Sequence, residues 1–151
     1  MHIEAFNQSI QKSALCLKQY QFDLVKVLDQ GKQDKKPLES VVAITAMQMA
    51  LVDCLSHAGI KADGLIGHSI GELTCAYADG ALTGQECIQA AYQRGKCIQE
   101  ANLPKCAMAV VGLSWEEAQK KCPASVVPSS KNFSLECFIR ILIKYIIDIV
   151  L

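Results

Sequence analysis

The chain has 151 residues, 15 Lys plus Arg against 15 Asp plus Glu, 51% apolar residues and 20% charged ones, a make-up of roughly one globular domain and not of a disordered or low-complexity chain. A formal charge of zero, with no basic run longer than Lys35-Lys36, removes the electrostatic drive that nucleic-acid binders depend on, so nucleic acid is excluded as an expected partner. The first residues, MHIEAFNQSIQKS, lack the basic segment, apolar core and small-residue cleavage site of a secretory signal, and a cytoplasmic, reducing location is expected.

In chain order, Phe6, Ile10, Ala14 and Leu17 recur at helical spacing, and Phe22, Val25 and Leu28 continue the pattern after a break, which predicts two short helices. Asp29 to Pro37 is polar, holds a Gly and a Pro, and is expected to be an exposed connection. Glu39 to His57 is apolar on most sides and is followed by Gly59, which predicts a well-buried helix with a glycine stop. Asp63 to Gly67 is a short apolar run bounded by glycines and is expected to be a buried strand. Ile70 to Asp79 regains helical character and stops at Gly80. Thr83-x-x-Glu86 is a capping box that opens the next helix, with Ile88, Ala91, Gly95 and Ile98 along one face; Gly95 would let another backbone come close. Ala107 to Leu113 then reads as a strand, Ser114 to Lys121 as a capped helix, and Ser125 to Val127 as the start of another strand. This alternation predicts an α/β fold.

Phe133 to Leu151 is strongly apolar, but Glu136, Arg140, Lys144 and Asp148 follow one another at steps of four and form a single polar stripe. A membrane span tolerates that poorly, so an amphipathic helix is expected and a membrane is not. The eight cysteines include no C-x-x-C pair and have three histidines for company. Neither a disulfide framework nor a metal site is expected, and most of the thiols are expected to be small buried groups.

The sharpest local signal is Gly67-His68-Ser69-Ile70-Gly71, a G-x-S-x-G between an expected strand and an expected helix, the context of a nucleophile elbow. Flanking glycines relieve Cβ clashes in so tight a turn. The turn presents the serine at a helix N-terminus, where backbone N–H groups favour developing negative charge. Ser69 is the candidate nucleophile and the Ile70 N–H a candidate oxyanion donor; the competing reading is a tight turn with a capping serine. A serine needs a base. His68 adjoins Ser69 and should leave the turn on another side, His57 ends a helix, and His2 is terminal, so none is a convincing general base. Arg94 lies beside the apolar stripe of its helix; it is either a solvated arginine or a guanidinium able to hold a carboxylate through two parallel hydrogen bonds.

With Ser69 and Arg94 in place, GLIGHSIGELTCAYADGAL, AAYQRGKCIQEANLP and AMAVVGLSWEEAQKKCP together resemble the malonyl/acetyl transferase domain of animal-type fatty acid synthase, with similarity extending over most of residues 4 to 128. The GHSxG core is shared with polyketide acyltransferases and bacterial malonyl transacylases; YADGAL and GLSWEE point to the animal synthase. The resemblance implies Ser69 as the acyl-accepting serine, His68 as its motif neighbour, Ile70 as the oxyanion residue and Arg94 as the partner of the malonyl carboxylate. It further implies transfer of malonyl or acetyl from coenzyme A to the phosphopantetheine thiol of acyl carrier protein, with no bound metal or redox cofactor, and other synthase domains as partners. The implied fold is a partial one: a large α/β subdomain with a parallel sheet and flanking helices over 1–106, the start of a ferredoxin-like subdomain over 107–128, and a divergent apolar tail over 129–151.

In the family the glycine-rich oxyanion loop would precede Met1 and the catalytic histidine would follow the point of divergence, and Cys106 stands where glycine is usual. The isolated chain is therefore expected to be inactive or severely impaired. A non-catalytic fragment acting through protein interaction is the competing reading. A small serine esterase is disfavoured because no histidine follows residue 68.

Overall fold

A computed structural model describes residues 3–30, 36–101 and 113–123. They fall into two compact units, the first holding the described residues up to 101 and the second holding 113–123.

The first unit is a helical assembly. Helix α1 (Glu4–Leu17) runs into a 3-10 turn at Lys18–Tyr20 and is followed by α2 (Leu24–Asp29), α3 (Pro37–His57), α4 (Gly71–Ala78) and α5 (Gly84–Glu100). Local chemistry sets most of the boundaries. The Asp23 carboxylate accepts from the Lys26 N–H at 3.1 Å and starts α2. Pro37 opens α3, and the Glu39 carboxylate reaches back to the Lys36 N–H at 2.9 Å. Thr83 and Glu86 form the reciprocal capping box read from the sequence, with Thr83 N–H donating to Glu86 at 2.8 Å and Glu86 N–H donating to Thr83 Oγ1 at 3.2 Å. Gly59 and Gly80 lie at φ 77° and 80°, the left-handed conformation that ends α3 and α4.

Helix α3 is the hub and packs against α1, α2, α4 and α5. Its Val42, Ala46 and Met49 meet Leu17, Leu24, Cys87 and Ile88 in the core. Its length and mean hydropathy of 1.6 would suit a membrane span, but Val41, Val42, Ala43, Ala46, Met49 and Ala50 are buried within the unit. The seam with α5 is close because Gly95 faces Leu38: a Cβ at Gly95 would stand 2.8 Å from Leu38 Cα. Tyr20 stacks on Tyr92 with ring centroids 4.2 Å apart, and Phe22 meets Tyr92 edge-on at 5.8 Å, which ties the 3-10 turn to α5.

The expected parallel sheet is overturned: among the described residues every regular element is a helix and none is a strand. A strand is stabilised by its ladder partner. Residues 63–67 have no such neighbour among the described residues, take no regular structure, and leave Ile66 50% exposed instead of buried. The expected strands at 107–113 and 125–127 lie outside the described residues, except for Leu113, as does the apolar tail over 129–151. Of the expected ferredoxin-like segment, the described part is α6 (Trp115–Lys121), capped by Ser114 and Glu117.

Three smaller expectations also change. Helix α2 buries Leu24 and Val27 and exposes Val25, so its inward face is turned by one residue from the one expected. Ile98 is exposed, so the buried stripe of α5 ends at Gly95. Cys87 is fully buried, but Cys97 is exposed and Cys16, Cys54, Cys75 and Cys122 are half-buried, so the thiols are less hidden than expected; all six are unbridged.

Candidate functional site

The sequence Gly67 to Gly71 makes a bend whose shape follows from close backbone contact. A Cβ on Gly67 would lie 2.6 Å from both the carbonyl carbon and oxygen of Gly71 and 2.7 Å from Glu72 N, so no residue but glycine fits. Two residues on, Ser69 takes φ 54°, a left-handed conformation that costs a non-glycine residue about 1–2 kcal/mol. The chain then enters α4 through three short-range bonds, from Gly71 N–H to His68 O at 2.9 Å, Glu72 N–H to Ser69 O at 3.3 Å and Leu73 N–H to Ile70 O at 3.1 Å. These three N–H groups are engaged, whereas the Ile70 N–H has no hydrogen-bond partner among the described residues. Ser69 and His68 are exposed and Ile70 is half-buried. The serine hydroxyl thus stands at the N-terminal end of α4, beside an unspent N–H and in the positive field of the helix.

Three side-chain bonds hold α4 against its neighbours. Thr74 Oγ1 donates to Gln48 Oε1 of α3 at 2.9 Å, the Tyr77 hydroxyl donates to Asp53 Oδ1 of α3, and Cys87 Sγ of α5 donates to Leu73 O at 3.3 Å. Burial, with the Asp53 carboxylate beside it, holds the Tyr77 phenol well above its ordinary range. Burial likewise pushes the Cys87 thiol up to about 11, which makes it an unreactive packing group. None of these residues was singled out from the sequence. The available signal was a glutamine inside the apolar run AITAMQMAL and a threonine in a helix that otherwise had no need of one.

The remaining sequence candidates are not drawn into the bend by any described contact. Arg94 lies exposed on α5 and makes no ion pair among the described residues. His57 is exposed at the end of α3, where it lines a cavity of about 550 Å³ with Ser9, Ser13, Asp53 and Tyr77. A second cavity of about 850 Å³ lies among the end of α3, the 59–65 segment and α4. Neither lining includes Ser69 or Arg94. Among the described residues no three His, Cys, Asp or Glu side chains converge as metal ligands.

The family model described as the acyl transferase domain matches residues 1–136. The chain belongs to the acyl transferase domain family. Among curated proteins, this acyl transferase chain is 43% identical over 88 residues to the highly reducing polyketide synthase sphB of Aspergillus fumigatus, covering 58% of this chain and 4% of that protein. It is 47% identical over 81 residues to the hybrid PKS-NRPS synthetase fsa1 of a Fusarium species, and 46% identical over 81 residues to equisetin synthetase eqxS of Fusarium heterosporum; each match covers 52% of this chain and 2% of the relative. The chain therefore spans a few hundredths of the length of these relatives. These relatives are fungal synthases, and the similarity supports an acyl transferase domain without supporting the finer likeness to animal fatty acid synthase drawn from YADGAL and GLSWEE.

Proposed function

We propose that this chain carries the acyl-accepting part of an acyl transferase that moves a malonyl-type or acetyl group from coenzyme A to a carrier-protein thiol. The observation that carries the reading is the strained Ser69, at φ 54° in a bend that only Gly67 permits. Gln21 reaches a like φ of 55° as the C-cap of the 3-10 turn, so it is the combination of strain with an exposed hydroxyl at a helix N-terminus and an unspent N–H that supports the reading. In the proposed first half-reaction Ser69 Oγ bonds to the thioester carbonyl carbon and gives up its proton, the Ile70 N–H donates to the developing oxyanion, the C–S bond breaks, and that proton ends on the departing sulfur so that coenzyme A leaves as its thiol. In the second half-reaction the phosphopantetheine thiol reverses these steps. Arg94 is the proposed partner of the malonyl carboxylate, and His68 is carried as the neighbour of the nucleophile. No resident cofactor enters either half. Coenzyme A thioesters, a carrier protein and the other domains of a multidomain synthase are the proposed substrates and partners, in the cytoplasm. Whether that synthase makes polyketides or fatty acids is the finer question, and the identities above favour polyketides.

Incubation with radiolabelled malonyl-CoA, followed by denaturing electrophoresis, tests the reading. No described histidine is placed as a base for Ser69, so slow labelling is expected in place of rapid turnover, and it is expected to vanish in Ser69→Ala. Label that survives Ser69→Ala overturns the assignment.

A second reading, an interaction role without catalysis, has its own observation. Ile60, which lines the 850 Å³ cavity, and Ile66, next to its lining residue Leu65, are 52% and 50% exposed. A chain that runs as a clean monomer in size-exclusion chromatography and binds no ANS dye counts against this reading.

A further inference from the structure

Helix α4 is eight residues long, too short to keep a fixed direction by its own hydrogen bonds. It begins two residues after Ser69, so the serine rides on it. A rotation of roughly 15° about the axis carries an atom about 4 Å from that axis by about 1 Å. Such a displacement of a reacting group can cost about a hundredfold in rate. Something outside α4 must therefore set its rotation.

The buried face of α3 holds two residues with polar side chains, and they are used in opposite ways. Thr45, fully buried, returns its hydroxyl to its own helix at Val41 O, 2.9 Å away, and so satisfies itself locally. Gln48, 7% exposed, instead accepts across the interface from Thr74, 6% exposed and 26 residues further along the chain. Thr74 in turn leaves its own helix backbone alone and spends its hydroxyl on α3. The same carboxamide also meets the start of α4, since a Cβ on Gly71 would stand 4.0 Å from Gln48 Nε2. One side chain thus lies alongside the first turn of α4, bonded to Thr74 and with its amide nitrogen on the side to which a Gly71 side chain would project. An apolar side chain of similar length would fill that space equally well, so packing alone does not account for a buried amide. The amide adds direction, because a hydrogen bond between two rigid helices is satisfied at one rotation and lost at others.

We propose that Gln48 and Thr74 are positioning residues, whose buried hydrogen bond fixes the rotation of α4 about its axis and with it the direction in which Ser69 presents its hydroxyl. The Tyr77–Asp53 bond, nearer the other end of α4, is the second anchor, and two attachment points define an orientation that one would leave free. The consequence for acylation rests on the acyl transferase reading; the orientation of the bend does not.

The test uses the full chain with Gln48→Met, which keeps side-chain length, Thr74→Val, which keeps shape, and Thr74→Ser, which keeps the hydroxyl. Amide hydrogen exchange is read at Gly71, Glu72 and Leu73, whose N–H groups close the bend, against Ala46 in α3 and Ala91 in α5. Gln48→Met and Thr74→Val are expected to speed exchange at the three bend amides about tenfold, to leave Ala46 and Ala91 unchanged, and to add nothing to each other in the double variant; Thr74→Ser restores the wild-type rates. Equal acceleration at all five amides, no change at the bend, or Thr74→Ser behaving as Thr74→Val overturns the proposal. In parallel, the rate of Ser69 labelling at saturating malonyl-CoA is expected to fall about tenfold in Gln48→Met and in Thr74→Val with its half-saturating concentration unchanged, and to keep its wild-type value in Thr74→Ser. Labelling that proceeds alike in every variant overturns the proposal and leaves the acyl transferase reading standing. Where the wild-type chain takes no label, the exchange measurement decides the positioning claim alone.

Discussion

Gly95 and Gly67 are both points where a missing side chain lets backbone in, but they admit different backbones. Gly95 admits Leu38, 57 positions earlier in the chain, and so sets the distance between two long helices. Gly67 admits Gly71, four residues on, and so sets the curvature of one bend. The first glycine serves the stability of the whole unit, and the second serves the presentation of one hydroxyl. A fold can thus use the same residue for cohesion at one place and for strain at another, and the two uses should separate under substitution.

The largest effect is expected at the seam. Gly95→Leu drives a side chain into Leu38 Cα and should destabilise the first unit by about 3 kcal/mol, read as a lower urea midpoint. Gly67→Ala should cost about 2 kcal/mol and stay local: proteolysis and exchange rise at residues 66–72, while the aromatic cluster of Tyr20, Phe22 and Tyr92 is kept. A global loss in Gly67→Ala would erase the contrast. Ser69→Gly should move the other way. It relieves the positive φ, raises stability by up to about 1 kcal/mol and abolishes acyl labelling, which shows that the bend holds strain for a purpose.

The smallest effect is expected with pH, at the groups that tie α4 to its neighbours. The Cys87 thiol is raised from its ordinary value of 9.0 to about 11, and the Tyr77 phenol is raised above its own ordinary value of 10.0. A raised pKa means that the folded state holds its proton more tightly, so this stabilisation is complete below about pH 9 and is lost as pH climbs through 11. The loss should be on the order of 1 kcal/mol. Tyr77→Phe and Cys87→Ala should each flatten the alkaline decline of the urea midpoint.

What could be read from the residues alone was governed by neighbours in the chain. The glycine stops after α3 and α4, the Thr83–Glu86 and Ser114–Glu117 boxes and the tight Gly67–Gly71 bend each depend on a few consecutive residues, and each is found where the spacing placed it. What could not be read depends on distant partners. Residues 63–67 have the composition of a buried strand, but nothing within them says whether another strand lies alongside. The inward face of α2 differs from the expected one because Leu24 and Val25 are equally apolar, and only Leu17 and Val42 decide between them. The bond from Gln48 to Thr74 is the same case at the candidate site, since two ordinary polar residues gain meaning only once α3 and α4 meet.

The placement of the aromatic residues gives the two units separate optical signatures. The chain's single tryptophan, Trp115, lies in α6, while the stacked rings of Tyr20 and Tyr92 lie in the first unit. Tryptophan emission therefore follows α6 alone, and the near-ultraviolet dichroism of the coupled tyrosines follows the docking of the 3-10 turn on α5. Melting curves recorded in both channels turn one sample into two thermometers, one for each unit.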